Sequence, residues 1–155
     1  MKEINIKKGH ILQHKGDLNS KAYEVKSGLL RSYSIDQKGK VHIFMFGPEG
    51  WIVSDYAMAN EPSDLFIDAL EDSVVLQINK DATADPDMMK LVKRIRVLQK
   101  RVIMLMSASA IERYDHFLQT YPSIVQRVPQ KMIASYLGIT PEALSAAKKK
   151  SIKKN

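Results

Sequence analysis

The chain has 155 residues, enough for one large domain or two small ones around an apolar core. It has no cysteine, which excludes disulfides, thiolate zinc sites and cysteine-held iron–sulfur clusters within these residues and fits a reducing compartment. Its net charge of +7 is unevenly divided: residues 1–86 carry 10 Lys+Arg against 13 Asp+Glu, a net of −3, and residues 87–155 carry 14 against 4, a net of +10.

A basic excess confined to the second half is the usual footprint of a polyanion-binding segment, with a solubilising basic tail as the plain alternative. The proportions of 45% hydrophobic and 26% charged residues are those of an ordinary globular protein. The opening MKEINIKKGHILQHKGD has no apolar run of signal-peptide length. Nowhere are there the roughly 18–20 consecutive apolar residues of a membrane span, so a cytoplasmic location and no membrane partner are expected.

From Ile4 to Ile78 the chain consists of short β-type runs, ILQH, AYEV, LLRSYSI, VHIFMF, FIDAL and VVLQI, separated by turn signals such as KSG, DQKG, GPEG and NEPSD. Strands this short, with turns this frequent, predict a β-sandwich or roll rather than alternating β/α units. Asp36-Gln-Lys-Gly39 is expected to form a hairpin with Gly39 at positive φ. Pro48 in Gly47-Pro-Glu-Gly50 has no amide to donate and is expected to break the strand before it.

After Asp85-Pro86, an N-cap and first-turn pair, the period becomes helical. Met88, Leu91, Ile95, Leu98, Val102, Leu105 and Ser109 recur at alternating spacings of 3 and 4. That predicts a helix of some 24 residues, roughly 36 Å long, over 87–110. Met88, Leu91, Ile95, Leu98, Val102 and Leu105 are read as the seam of a homodimeric coiled coil; packing of the same stripe against its own domain is the alternative. Lys90, Lys93, Arg94, Arg96, Lys100 and Arg101 flank it with few carboxylates to pair them.

IERYDHFLQTYP predicts a second helix whose Ile111, Tyr114, Phe117, Leu118 and Tyr121 are core rather than a base-stacking surface. A short helix over Gln130–Leu137 then places Ile133, Ala134 and Leu137 inward. Gly138 supplies a left-handed turn, Thr140 caps the next helix and Pro141 starts it, with Ile139 and Leu144 filling the angle. That spacing predicts a helix–turn–helix, against a generic αα-hairpin.

These residues carry a resemblance. GHILQHKGD…AYEVKSGLLRSYSIDQKGK resembles the cyclic-nucleotide-binding-type roll of the Crp–Fnr family of bacterial regulators. VPQKMIASYLGITPEALS resembles the DNA-binding element of a compact branch found in Bacteroidetes-type bacteria, where EPS…IDALEDSVVL, ERYDHFLQTYP and QRVPQ also recur. The similarity spans nearly the whole chain, without the helix that usually precedes the roll or the winged hairpin that follows the recognition helix in larger members.

The resemblance implies an α+β fold: an antiparallel β-roll sensor over 1–86, a dimerisation helix over 87–110 and a helix–turn–helix over 111–155. It also implies DNA, a second copy of the chain and RNA polymerase as partners. In cyclic-AMP-binding members the loop after the glycine matching Gly50 bears an acid for the ribose, then an Arg-Ser pair for the phosphate. Here Asp55 stands near the acid, Asp64 and Leu65 occupy the Arg-Ser position, and no arginine lies between Arg31 and Arg94. Asp64 would repel a phosphate, so cyclic-nucleotide binding in the usual way is not expected. Trp51, Ser54, Asp55, Tyr56, Met58, Asp64 and Leu65, with Phe66, outline an effector pocket or plain core filling. No cofactor is implied beyond an unidentified small-molecule effector.

In the recognition helix Glu142 matches the family's glutamate, which accepts from cytosine N4, and Thr140 and Ser145 match positions that touch phosphate or base edges. Gln130, Lys131, Lys148 and Lys149 complete the DNA-contact candidates. The next family position is normally an arginine that forks onto guanine; here it is Ala146, followed by Ala147 and five lysines. The expected outcome is altered or degraded sequence selection with phosphate attraction retained. His10, His14 and His42 have no metal- or haem-ligand spacing, and no nucleophile motif, HExxH or phosphate-cradling loop is present, so neither metal binding nor catalysis is expected. A dimeric roll that binds a ligand or serves as a scaffold, without reading DNA, is the alternative.

Overall fold

The structure, a computed structural model, describes residues 1–58, 60–80 and 88–152, and the side chains of all of these except Lys90, Leu91 and Ile152. The chain divides into two compact units, Met1–Thr83 and Ala84–Asn155.

The first unit contains β1 (Lys2–Ile6), β2 (Ile11–Gln13), β3 (Lys21–Ser27), β4 (Leu30–Ile35), β5 (Val41–Gly47), β6 (Ile52–Ser54), β7 (Phe66–Ala69) and β8 (Ser73–Asn79). The pairs are nested about one hairpin: β4 with β5, β3 with β6, β2 with β7 and β1 with β8, all antiparallel. Two further pairings, β3 with β8 and β4 with β7, join these into sheets ordered β1-β8-β3-β6 and β2-β7-β4-β5. This is a long hairpin rolled over on itself, the double-sheet solution to open sheet edges.

The hairpin turns where expected. Gly39 has φ 77°, and the Asp36 carboxylate accepts the amides of Lys38 and Lys40 at 2.9 and 3.0 Å. β5 ends at Gly47, directly before Pro48. Alternation fills the space between the sheets: Val25, Leu30, Val53, Ile67 and Val75 are fully buried, each stabilising by roughly 1.5–3 kcal/mol through burial.

Two strands fall outside the β-type runs of the sequence. β1 is an edge strand of which only Ile6 is buried, so KEINI shows little apolar pattern. β6 is three residues long, at the opposite edge of that sheet.

The second unit contains α1 (Met88–Ser107), α2 (Ala110–Thr120), α3 (Gln130–Leu137) and α4 (Pro141–Ile152). The expected Asp85 cap, Pro86 and Lys153–Lys154 lie outside the described residues. The long helix does not run to 110. Ser109, placed in the seam by its spacing, is instead the N-cap of α2: its hydroxyl accepts the Glu112 amide, and the Glu112 carboxylate accepts the Ser109 amide at 2.7 Å. This reciprocal capping box starts a new helix one residue before Ile111. Tyr114, Phe117 and Tyr121 are buried, and Phe117, Tyr121 and Tyr136 pack in a triangle with ring centroids 5.4–5.6 Å apart.

Candidate nucleic-acid interface

The turn between α3 and α4 follows from four residues. Leu137 ends α3 fully buried, and Gly138 takes φ 64°, donating its amide toward Ala134 and Ser135. This left-handed conformation costs a side-chain-bearing residue about 1–2 kcal/mol. Ile139 donates to the Ala134 carbonyl at 3.1 Å. Thr140 then caps α4, its hydroxyl accepting the Ala143 amide at 3.1 Å. Ile133, Ala134 and Leu144 are buried in the angle, as the spacing predicts.

That packing fixes which side of α4 faces outward. Leu144 and Ala147 are buried, Ala147 at 4% exposure, while Glu142, Ser145, Ala146, Lys149 and Lys150 are exposed and Lys148 is half-buried. The two alanines that follow Ser145 therefore differ: Ala147 is core, and Ala146 lies on the outer face beside Glu142 and Lys149. Gln130, Lys131 and Thr140 are exposed as well. Ser151 ties the far end of α4 to α2 by donating to Asp115 at 3.2 Å.

Along α1 the seam splits. Met88, Ile95 and Val102 are exposed, but Leu98 and Leu105 are only half-exposed, and the Leu91 side chain lies outside the described residues. Val92, Ile103 and Met106, which the spacing argument left out, are exposed too, Met106 at 80%. The outward stripe thus runs Met88, Val92, Ile95, Val102, Met106, sharing every seventh residue with the expected seam and differing between them. The outward register also contains Gln99, and Met89, Val97 and Ile103 are exposed beside it.

In the roll, the loop after β6 is organised from within. Asp55 is buried, and its carboxylate accepts three backbone amides: Ala57 at 2.7 Å, Asp64 at 2.9 Å and Leu65 at 2.8 Å. Lys80 reaches in from the end of β8, donating to Ser20 Oγ at 2.6 Å and to the carbonyls of Asp55 and Ala57. Burial pushes the Lys80 ammonium below its ordinary pKa, partly offset by the Asp55 carboxylate. Of the other pocket candidates, Ser54 donates to the Asp55 carbonyl at 2.8 Å, Trp51 packs against the core, and Leu65 is half-buried. Tyr56, Met58 and Asp64 are exposed. Of the expected pocket residues, three thus face solvent and Asp55 is taken up by the loop's own amides. Lys80, a participant that sequence reasoning missed, lies far along the chain from the loop it holds.

Among the described residues no helix is long and apolar enough to cross a membrane, and no cluster of side chains could hold a metal ion.

Residues 3–85 match the cyclic nucleotide-binding domain family. Curated relatives include the fumarate and nitrate reduction regulatory protein of Yersinia pestis, 29% identical over 161 aligned positions covering 90% of this chain and 64% of that protein. The regulatory protein HlyX of Actinobacillus pleuropneumoniae is also 29% identical, over 90% of this chain and 67% of its own. This chain thus spans about 64% of the length of the first of these. Among solved structures, FixK2 of Bradyrhizobium japonicum superposes with a TM-score of 0.81 at 20% identity, covering 99% of this chain and 85% of that one. A CRP/FNR-family transcriptional regulator of Thermus thermophilus does so at 0.78 and 16% identity, covering 99% and 87%. The chain belongs to the cyclic nucleotide-binding domain family, and its fold, a β-roll followed by helices and a helix–turn–helix, is like that of these solved regulators.

Proposed function

We propose that this chain is a homodimeric, cytoplasmic transcriptional regulator that presents α4 to the major groove of DNA. One observation carries the reading: α4 buries Leu144 and Ala147 while exposing Glu142, Ser145, Ala146 and Lys149 on one face, with Lys148 and Lys150 beside it. A short polar face flanked by cations is what a recognition helix needs. Carboxylate and hydroxyl read base edges, and lysines hold phosphate. The relatives named as regulators support the same role.

In this reading the exposed apolar stripe of α1 pairs with the same stripe of a second copy, setting two recognition helices about one DNA turn, roughly 34–36 Å, apart. The dimeric regulator contacts RNA polymerase as a further partner. The roll takes no cyclic nucleotide in the usual way. The amides of the loop answer Asp55, and the exposed Asp64 adds a carboxylate where a phosphate would need a cation. Addition of cyclic AMP is therefore expected to leave Tm unchanged, because a ligand stabilises only what it binds.

The test is selection of binding sites from random DNA by the purified protein, at physiological and at reduced salt. A two-fold-symmetric motif is the expected result and would show what replaces a guanine-reading arginine at Ala146. Retention without enrichment, vanishing as salt rises, would mean that the lysines hold phosphate and nothing more. The helix–turn–helix would then be a fold without a reading function.

A further inference from the structure

Two arginines of the second unit, Arg113 on α2 and Arg101 on α1, each donate to a backbone carbonyl at the end of α3. Arg113, in the first turn of α2, aims its guanidinium at three backbone carbonyls: Nε donates to Ala108 at 3.0 Å, Nη2 to Leu105 at 2.8 Å and Nη1 to Leu137 at 2.9 Å. Leu105 and Ala108 belong to the C-terminal end of α1 and the residue just beyond it, and Leu137 is the last residue of α3. The last four carbonyls of a helix lack intrahelical partners and carry its negative end. One guanidinium therefore caps two helices at once. Among the described residues Arg113 forms no ion pair, so these carbonyls are the partners its placement serves.

Arg101, on α1, makes a second tie. Its Nη2 donates to the Tyr136 carbonyl at 3.3 Å and its guanidinium carbon lies 4.1 Å from the centre of the Tyr136 ring. Tyr136 is part of the Phe117–Tyr121–Tyr136 triangle. The turn itself adjoins the junction: a Cβ built on Gly138 would lie 3.5 Å from Arg113 Nη1 and 3.6 Å from Leu105 Cδ2.

We propose that Arg113 and Arg101 are positioning residues for DNA binding: they lock the end of α1 to the turn of the helix–turn–helix, so that the course of α1 sets the direction in which α4 is presented. The proposal rests on the DNA-binding reading above for its consequence, but not for its geometry. A planar five-donor fork can hold three carbonyls in fixed directions; an ammonium on a flexible stem keeps the charge and loses the geometry.

The test compares Arg113→Lys and Arg101→Lys with the unchanged full chain by circular dichroism, amide hydrogen exchange and duplex binding. In Arg113→Lys the near-ultraviolet signal of the aromatic triangle is expected to persist. Exchange is expected to rise about tenfold at both 105–109 and 137–140, the two sides of the junction opening as one unit. Affinity for the selected duplex should fall at least tenfold, with low-salt binding to random duplex reduced less than threefold. Arg101→Lys should show the same pattern more weakly. Exchange rising on one side only, or selected-duplex affinity within twofold of the unchanged chain, overturns the proposal. So does loss of the fold in both variants, which would make the arginines core struts. If the unchanged chain selects no duplex, the regulator reading fails by itself, and the lock stands or falls on whether the two exchange segments move together.

Discussion

The loop after β6 and the outer face of α4 hold similar chemistry and treat it in opposite ways. In the loop, the Asp55 carboxylate is answered by three amides and the Lys80 ammonium by a hydroxyl and two carbonyls, all from the same unit. On α4, Glu142, Ser145, Lys149 and Lys150 stand exposed on a helix anchored from behind by Leu144 and Ala147. Buried polar groups cost free energy unless they are paired, so a carboxylate satisfied from within serves the fold. A polar face held outward by a packed helix remains available to a partner. The two surfaces thus differ in what they leave unanswered: the loop's charges are met from within, and those on α4 face solvent.

The contrast can be broken most forcefully on α4. Changing Lys148, Lys149 and Lys150 together to Gln is expected to weaken duplex binding by at least roughly a hundredfold near physiological salt and to flatten the log affinity–log salt slope by about 5, since a dimer loses three lysines from each recognition helix and each phosphate contact contributes about 0.9. The fold should be untouched, because these side chains are exposed or half-buried. Fluorescence anisotropy across a salt series measures both quantities, and an unchanged slope would remove α4 from the interface.

The converse change lies in the roll. Asp55→Ala leaves three amides without their acceptor and is expected to destabilise the first unit by about 2 kcal/mol, read as a lowered denaturation midpoint. Duplex binding by the folded protein should not change. A variant as stable as the unchanged chain would mean that the carboxylate is not the loop's organiser. A third change sharpens the comparison within α4. Ala146→Arg restores a side chain able to fork onto guanine and is expected to gain about 1–2 kcal/mol for duplexes carrying guanine at the facing position over those that lack it. Competition binding between the two kinds of duplex measures the gain, and equal affinity for both would place Ala146 away from the base edges. Ala147→Arg cannot serve as its equivalent, because Ala147 is buried and the larger side chain would disrupt the packing.

Much of this was legible from sequence where pattern and local chemistry agree. Gly138, Thr140 and Pro141 define the turn and the start of α4 without reference to anything distant, and DQKG defines the hairpin. What escaped was settled by non-local packing. Lys80 is remote in sequence from the loop it holds, and no local pattern pairs them. Along α1, Leu98 and Leu105 are half-exposed while Val92 and Met106 are exposed, a difference that apolar spacing does not show. Ser109 is different, because its signal was local: a serine followed three residues later by Glu112 is a capping-box pattern. The continuing heptad spacing concealed it.

The two units should also part company as pH falls, and this is the smallest effect of the set. His116 on α2 lies 3.4 Å from Thr120 Oγ1. Burial, then the nearby positive charges of Arg101 and Lys100, hold its pKa below the ordinary 6.5. A histidine depressed in the folded state favours folding while neutral; its contribution is present above the ordinary value and is lost as pH falls from there through the folded pKa. In the roll Asp36 is held below the ordinary 3.8 by its hydrogen bond to His42, then by the Lys40 amide, and Asp72 is held below it by its hydrogen bond to Lys7. Their contributions are present above that value and lost only at more acid pH. Between about pH 7 and 5, then, the helical unit should lose stability while these parts of the roll do not, and His116→Gln should flatten the decline in the helical unit alone. Hydrogen exchange resolved by segment across that range makes the comparison, and equal loosening of both units in the unchanged chain would show that His116 does not set the acid sensitivity of the helices.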